Sequence, residues 1–126
     1  MNAMVKRTGP TKDRTKQLIG LLQKAARKEK KAIWLDIAER LEKPRRQRAS
    51  INLWKIEKFA RIFKGKQLLV PGKVLGNGML NEKPTIIALE FSSRAMKKIL
   101  KAGATALSIE DALKRKVDVK TIMIVK

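Results

Sequence analysis

An excess of positive charge constrains this chain more than any other feature of its sequence. Its 126 residues include 31 lysines and arginines against 11 aspartates and glutamates, which gives a formal net charge of +20. Like charges repel one another and weaken a compact state unless a polyanion neutralises them. Nucleic acid is the usual polyanion in a cell, and an anionic membrane surface is the alternative. The composition therefore predicts a protein whose partner is a polyanion.

The excess charge is spread evenly along the chain. Residues 1–50 carry 15 basic and five acidic side chains, and residues 51–126 carry 16 and six. A basic tail joined to a neutral domain would give an uneven division. The hydrophobic fraction of 44% can fill a core, and the length suits one domain. We therefore predict a single basic α/β domain over residues 13–126, preceded by a flexible basic N-terminal arm over residues 1–12.

The side-chain inventory disfavours catalysis and metal binding. The chain has no histidine and no cysteine, so it lacks the commonest general base and the usual zinc ligands. The glycines at 72, 76 and 78 do not match a phosphate-binding loop, and turn geometry explains Gly76 and Gly78 better. No apolar run approaches the ~20 residues that cross a bilayer. We predict no enzymatic activity, metal, cofactor, small-molecule substrate or membrane partner.

Apolar residues that recur at helical spacing predict four main helices. Pro44 disfavours helical geometry at Lys43 and so predicts the end of the second helix. Ser92 is suited to capping the start of the fourth helix, and Gly103 is suited to ending it. The predicted helices cover residues 13–29, 32–42, 56–63 and 93–102, and Ser108 with Asp111 predicts a further short helix.

Two β-rich runs, residues 66–76 and 84–91, flank a connection that contains Asn77-Gly78. This arrangement predicts a hairpin-like pair with a long loop. Pro71 lies inside the first run and indicates an edge strand or a bulge. Shorter strands are predicted at 51–53, 105–107 and 121–125, the last of them central and buried on both faces.

Aromatic side chains are few, and most lie on apolar helical faces. Trp34, Phe59 and Phe63 are therefore predicted to be core residues. Trp54 is placed opposite Leu53, where its ring either packs or stacks on a base. Recognition of a single strand by several aromatic platforms is poorly supported, whereas phosphate contact and shape recognition fit the composition better.

The densest basic cluster is "KPRRQR", residues 43–48, directly after the predicted end of a helix. Arginine presents a planar fork of donors that matches phosphate oxygens, and a loop can direct several forks to different phosphates. A solvated charge run or a localisation signal is the alternative interpretation. A mobile basic arm can likewise order itself in a groove of folded RNA. The candidate RNA-binding residues of the loop and the arm are Lys43, Arg45, Arg46 and Arg48, and Lys6, Arg7, Lys12 and Arg14. Basic helix faces are predicted to bind RNA as well, among them the cluster of Lys24, Arg27, Lys28, Lys30 and Lys31 near the end of the first helix.

Three segments together carry a family resemblance. "IWLDIAERLEKPRRQRASINLWKI", "VPGKVLGNGML" and "FSSRAMKKILKAGA" with the following "LSIEDAL" resemble the archaeal and eukaryotic large-subunit ribosomal protein family eighteen-e, which is related to bacterial large-subunit protein fifteen. The segments occur in family order over nearly the whole chain, and the compact length resembles archaeal members.

The resemblance implies an α/β fold of irregular strand-strand-helix turns, preceded by an N-terminal helical region. It implies a non-catalytic, cytoplasmic constituent of the large ribosomal subunit, whose partners are ribosomal RNA and neighbouring ribosomal proteins. The family's basic loop corresponds to Lys43 through Arg48, and its glycine-containing β segment to Pro71 through Gly78, where Lys73 is a further candidate RNA contact.

The residues by themselves leave other functions open. Composition and spacing do not separate ribosomal RNA from DNA, so a non-specific chromatin-type DNA-binding protein is the main alternative. An RNA-processing enzyme is a third hypothesis, which the absence of histidine and cysteine disfavours.

Overall fold

The computed structural model describes residues 3–29, 32–43, 49–115 and 119–125. The chain divides into two compact units, residues 1–45 and 46–126. Helices α1 and α2 form the first unit. The described residues of the second contain a parallel sheet, three α-helices and a short 3-10 helix (Val119–Thr121), so the predicted fold class, α/β with an N-terminal helical region, is confirmed. Within the described residues, no helix is long and apolar enough to cross a membrane.

The first unit is a pair of helices joined through their apolar faces. Helix α1 spans Ala3–Glu29 and α2 spans Ala32–Glu42. The second helix has the predicted bounds, ending before Pro44 as the proline predicts. The side chains buried between these helices include Leu18, Leu22, Trp34, Ile37 and Leu41. Trp34, only 1% exposed, is thus confirmed as a core residue.

Helix α1 begins ten residues earlier than predicted. Its backbone is helical from Ala3 and therefore includes most of the stretch that the sequence assigns to a flexible arm. Pro10 has no N–H, so this stretch lacks the helical hydrogen bond that residue 10 would otherwise donate. The flexibility of residues 1–12 and the domain boundary at residue 13 stay predictions.

The second unit is built on a five-stranded parallel sheet. Strand β2 pairs with β3 along one edge, and β3 pairs with β4. Along its other edge β2 pairs first with β5 and then with β1, so these two short strands lie end to end. The strands are β1 (Ala49–Asn52), β2 (Gln67–Leu75), β3 (Thr85–Phe91), β4 (Thr105–Ser108) and β5 (Ile122–Ile124).

Pro71 lies at a bulge, which is one of the two predicted alternatives, whereas the other is wrong because β2 is an interior strand. The register with β3 shifts between Val70 and Lys73. On the other edge, pairing with β5 ends at Leu69 and pairing with β1 begins at Gly72. A proline has no N–H to contribute to a ladder. It is tolerated here because both ladders are interrupted at this position.

The predicted hairpin between β2 and β3 is wrong, because the two strands are parallel. Nine residues, 76–84, connect them. An extended segment of nine residues reaches about 30 Å, which is enough to return along a strand of this length. The predicted central position of β5 is also wrong. It pairs only with β2 among the described strands, and its three residues are half-buried.

Helices cover both faces of the sheet. Helix α3 (Leu53–Ile62) packs on β1 and β2, and α4 (Ser93–Ala102) packs on β2 and β4. Both contribute to one core cluster, in which Ile56 and Ile99 are fully buried. The short α5 (Ile109–Lys114) packs on β3 and β4. Its buried residues are absent from that cluster, so it lies on the opposite face.

The ends of α4 and α5 follow the local signals of the sequence. Ser92 caps α4 by accepting a hydrogen bond from the Ala95 N–H at 3.1 Å. Gly103 ends that helix with φ of 80°, a left-handed conformation that suits glycine. The Ser108 hydroxyl accepts from the Asp111 N–H at 3.0 Å and caps α5. These three predictions are confirmed.

Candidate nucleic-acid interface

The structure locates only some of the predicted RNA-binding residues. Arg45, Arg46 and Arg48 lie outside the described residues. Lys43 follows the end of α2 and is exposed. Lys73 is half-buried on β2, in register with Ser50 of β1 and Glu90 of β3. Lys6, Arg7, Lys12 and Arg14 belong to the first half of α1. The predicted contacts of all nine with RNA stay predictions.

Helices α3 and α4 together present a cationic surface. Basic helix faces are predicted from the sequence, but this combination of two helices is not. They cover the same face of the sheet, and neither exposes a carboxylate. The one acidic residue of the two helices, Glu57, is buried. We call this surface the α3–α4 basic face. Its cationic residues are Lys55, Lys58 and Arg61 on α3, and Arg94, Lys97, Lys98 and Lys101 on α4.

Helix α5, on the opposite face of the sheet, has a mixed charge pattern. Its first turn contains Glu110 and Asp111, where negative charge is favoured by the helix dipole. Lys114 forms an ion pair with Glu110 at 3.5 Å, between two largely exposed side chains. The two faces therefore differ in character, and the α3–α4 basic face is the more suited to a polyanion.

A second basic surface lies between the end of α3 and the start of β2. A cleft of about 250 Å³ there is lined by Phe63 and by three lysines, Lys64, Lys66 and Lys83. The Lys66 Nζ donates to the backbone carbonyl of Lys120 at 3.1 Å. The remaining lining residues are Ala60, Gly65, Glu82 and Pro84. Lysines therefore outnumber carboxylates here as well.

The connection between β2 and β3 is held against the starts of α3 and α4. The Trp54 N–H donates to the Asn77 carbonyl at 3.1 Å. The Lys98 ammonium donates to the carbonyls of Gly76 and Gly78 at 2.8 and 2.9 Å. These contacts replace the turn hydrogen bonds of the predicted hairpin.

The two glycines of this connection have different structural roles. Gly78 has φ of 104°, which confirms turn geometry there. Gly76 does not have positive φ. A Cβ at this position would lie 2.7 Å from the Arg94 Cγ and 3.0 Å from the Ala95 backbone nitrogen. Gly76 is therefore required by the close approach of α4.

Glu57 anchors the far end of the same connection. Its carboxylate accepts hydrogen bonds from the backbone N–H groups of Asn81 and Glu82 at 3.0 and 2.9 Å, and from the Arg61 Nε at 2.8 Å. Burial raises the pKa of the Glu57 carboxyl, but the N–H groups of Glu82 and Asn81 and the Arg61 guanidinium outweigh it. The net pKa is therefore lowered.

Replacing Glu57 with glutamine is expected to lower the free energy of unfolding at pH 7 by about 1.5–3 kcal/mol, because charge-assisted hydrogen bonds are lost. Since the folded state lowers this pKa, the carboxylate stabilises the fold above its unfolded pKa. This stabilisation disappears as the pH falls through the folded pKa. Urea denaturation between pH 7 and pH 3 should show the two proteins converging on acidification.

The matched control for this prediction is Glu110→Gln, which also removes the charge of a helical glutamate paired with a cation four residues on. That pair is exposed, so the change should cost at most about 1 kcal/mol. Equal losses in the two variants at pH 7 would contradict the anchoring role of Glu57.

The fold and its surface define a small, basic α/β protein suited to a polyanion. Comparison with known proteins gives the family. Residues 20–107 match a family model of ribosomal proteins, whose description names 50S-L15 and 50S-L18e together with a counterpart from the 60S subunit. The chain belongs to this family of ribosomal proteins.

Curated relatives extend the similarity over most of the chain, and each is named large ribosomal subunit protein eL18. The protein of Sulfurisphaera tokodaii is 42% identical over 98% of this chain and 99% of its own length. That of Methanosphaerula palustris is 44% identical over 90% and 89%. That of Haloarcula marismortui is 46% identical over 82% and 86%. The resemblance drawn from the sequence is confirmed.

Proposed function

We propose that this protein is a non-catalytic structural constituent of the large ribosomal subunit in the cytoplasm, where it binds ribosomal RNA. The observation that carries the proposal is the α3–α4 basic face, on which neither helix exposes a carboxylate. The names of the relatives support the same assignment.

The mechanism is electrostatic and geometric. Each lysine or arginine that meets a phosphate releases a condensed counterion, which favours binding at low salt. The buried core of α3 and α4 gives the basic face a fixed shape. We propose that the loop residues Lys43, Arg45, Arg46 and Arg48 contact RNA, together with Lys73 and the N-terminal cations Lys6, Arg7, Lys12 and Arg14. RNA segments that repel one another can then be held close together, beside neighbouring ribosomal proteins.

Competition binding tests this proposal. A labelled large-subunit ribosomal RNA fragment, bound to the purified protein, is competed with unlabelled RNA and with duplex DNA of equal length at one stated salt concentration. We expect the RNA to bind at least about tenfold more tightly, a difference of about 1.4 kcal/mol. Equal affinities would favour a non-specific DNA-binding protein instead.

A further inference from the structure

Trp54 is the one strongly exposed aromatic residue among those that the structure describes. It lies in the first turn of α3, and its exposed fraction is 56%. The other tryptophan, Trp34, is 1% exposed. Exposing an indole ring to water forfeits the large apolar contribution that such a ring makes when buried. A second exposed apolar residue, Met79, is 70% exposed. It directly follows Gly78, the residue that packs on Trp54.

The backbone of Trp54 is held firmly although its ring is exposed. Its N–H donates to the Asn77 carbonyl at 3.1 Å. A Cβ at Gly78 would lie 2.6 Å from the Trp54 nitrogen and 2.7 Å from its Cβ, so only glycine permits this approach. A ring on a fixed backbone loses little conformational freedom when it is covered. Such pre-organisation favours binding.

The surroundings of Trp54 are cationic. Lys58 lies one turn further along the same side of α3, within reach of whatever covers the ring. Arg94 packs against Gly76, and the Lys98 ammonium is held by the carbonyls of Gly76 and Gly78. The nearest carboxylate in sequence, Glu57, is buried. An exposed ring among cations fits a nucleotide, whose base stacks and whose phosphates are negative.

We propose that Trp54 is a stacking platform for an unpaired base of ribosomal RNA, with the flanking phosphates held by Lys58 and Arg94. This inference rests on the proposed function. It specifies that the α3–α4 basic face binds an unpaired segment of the ribosomal RNA. We include Met79 in the proposed platform because it is exposed and follows Gly78, the residue that packs on Trp54.

Alanine and phenylalanine substitutions of Trp54 test the platform. With an RNA fragment that contains an unpaired loop, Trp54→Ala should weaken binding about tenfold, and Trp54→Phe should retain most of the affinity. The salt slope of Trp54→Ala should equal that of the unchanged protein, because no phosphate contact is lost. The effect should disappear when the same sequence is supplied as a fully paired duplex.

Ile62→Ala is the matched control. Ile62 is 59% exposed and ends the same helix, so its truncation removes exposed apolar surface from α3 without removing an aromatic ring. It should bind RNA as the unchanged protein does. If Trp54→Ala binds within twofold of Ile62→Ala, the platform is refuted. If the unchanged protein binds no RNA at all, the proposed function itself fails.

Tryptophan fluorescence gives a second readout. Trp34 is buried, so RNA that stacks on Trp54 should quench the solvent-exposed component of the emission. The same titration of Trp54→Phe should show no such quenching, and quenching that persists in this variant would refute the stacking. A Trp54→Ala protein that binds RNA normally but fails to sediment with large subunits would also refute it, since the ring would then contact a neighbouring protein.

Discussion

Reversing Arg45, Arg46 and Arg48 to glutamate is expected to weaken binding to a large-subunit ribosomal RNA fragment by at least about 100-fold, a loss of about 2.7 kcal/mol or more. The arginine fork and a phosphate form charge-assisted hydrogen bonds, each of which contributes about 1.5–3 kcal/mol. The slope of log K against log salt should fall in magnitude by about 0.7–0.9 for each phosphate contact that is lost. Fluorescence anisotropy at several salt concentrations measures both quantities.

The control for this charge reversal places the same change at three basic residues of the second unit that lie far from the loop in sequence. Lys114, Arg115 and Lys120 are exposed basic residues outside the α3–α4 basic face. Their reversal to glutamate alters the net charge equally. We expect a smaller loss of affinity and a smaller change of slope. Matching losses in the two variants would show that net charge, and not the loop, determines binding. Circular dichroism should show that both variants remain folded.

Replacing Trp34 with alanine is expected to lower the free energy of unfolding by about 3–5 kcal/mol. The indole is 1% exposed, and Ile37 and Leu41 beside it on α2 are fully buried. Its loss therefore leaves a large cavity in the first unit. Chemical denaturation followed by circular dichroism measures the change.

Two further variants show whether the effect comes from packing. Leu35→Ala truncates the adjacent residue, which is 44% exposed, and should cost less than about 1 kcal/mol. The Trp34 Nε1 is buried and has no hydrogen-bond partner among the described residues. Trp34→Phe therefore removes an unsatisfied donor and should cost much less than Trp34→Ala. A loss in Trp34→Phe as large as in Trp34→Ala would contradict this account.

The aromatic predictions show how far a local pattern can be taken. The position of Trp34 on an apolar stripe was sufficient to identify it as a core residue. Phe59 and Phe63 are half-buried instead, and their rings stack with centroids 6.0 Å apart at the edge of the core. A helical stripe shows which side of a helix faces inward. It does not show where the covering element ends.

The candidate interface was predicted only where its residues are neighbours in sequence. Lys43 and the arginines of the loop are recognisable from one short segment. The α3–α4 basic face joins two helices whose first residues, Leu53 and Ser93, are 40 positions apart in the chain. The signal available in the sequence was that the two helical segments contain only one carboxylate, Glu57. Recognising the two segments as one surface required knowledge that both helices cover the same face of the sheet.

The sequence by itself determined the excess of cations, the α/β class, the second helix that ends before Pro44 and the caps at Ser92 and Ser108, and it limited Pro71 to an edge strand or a bulge. Each depends on composition or on residues within one or two turns. Tertiary structure decided the parallel pairing of β2 with β3, the edge position of β5, the need for glycine at 76 and the anchoring role of Glu57. These depend on contacts between segments far apart in the chain, whose geometry only the packed sheet and helices define.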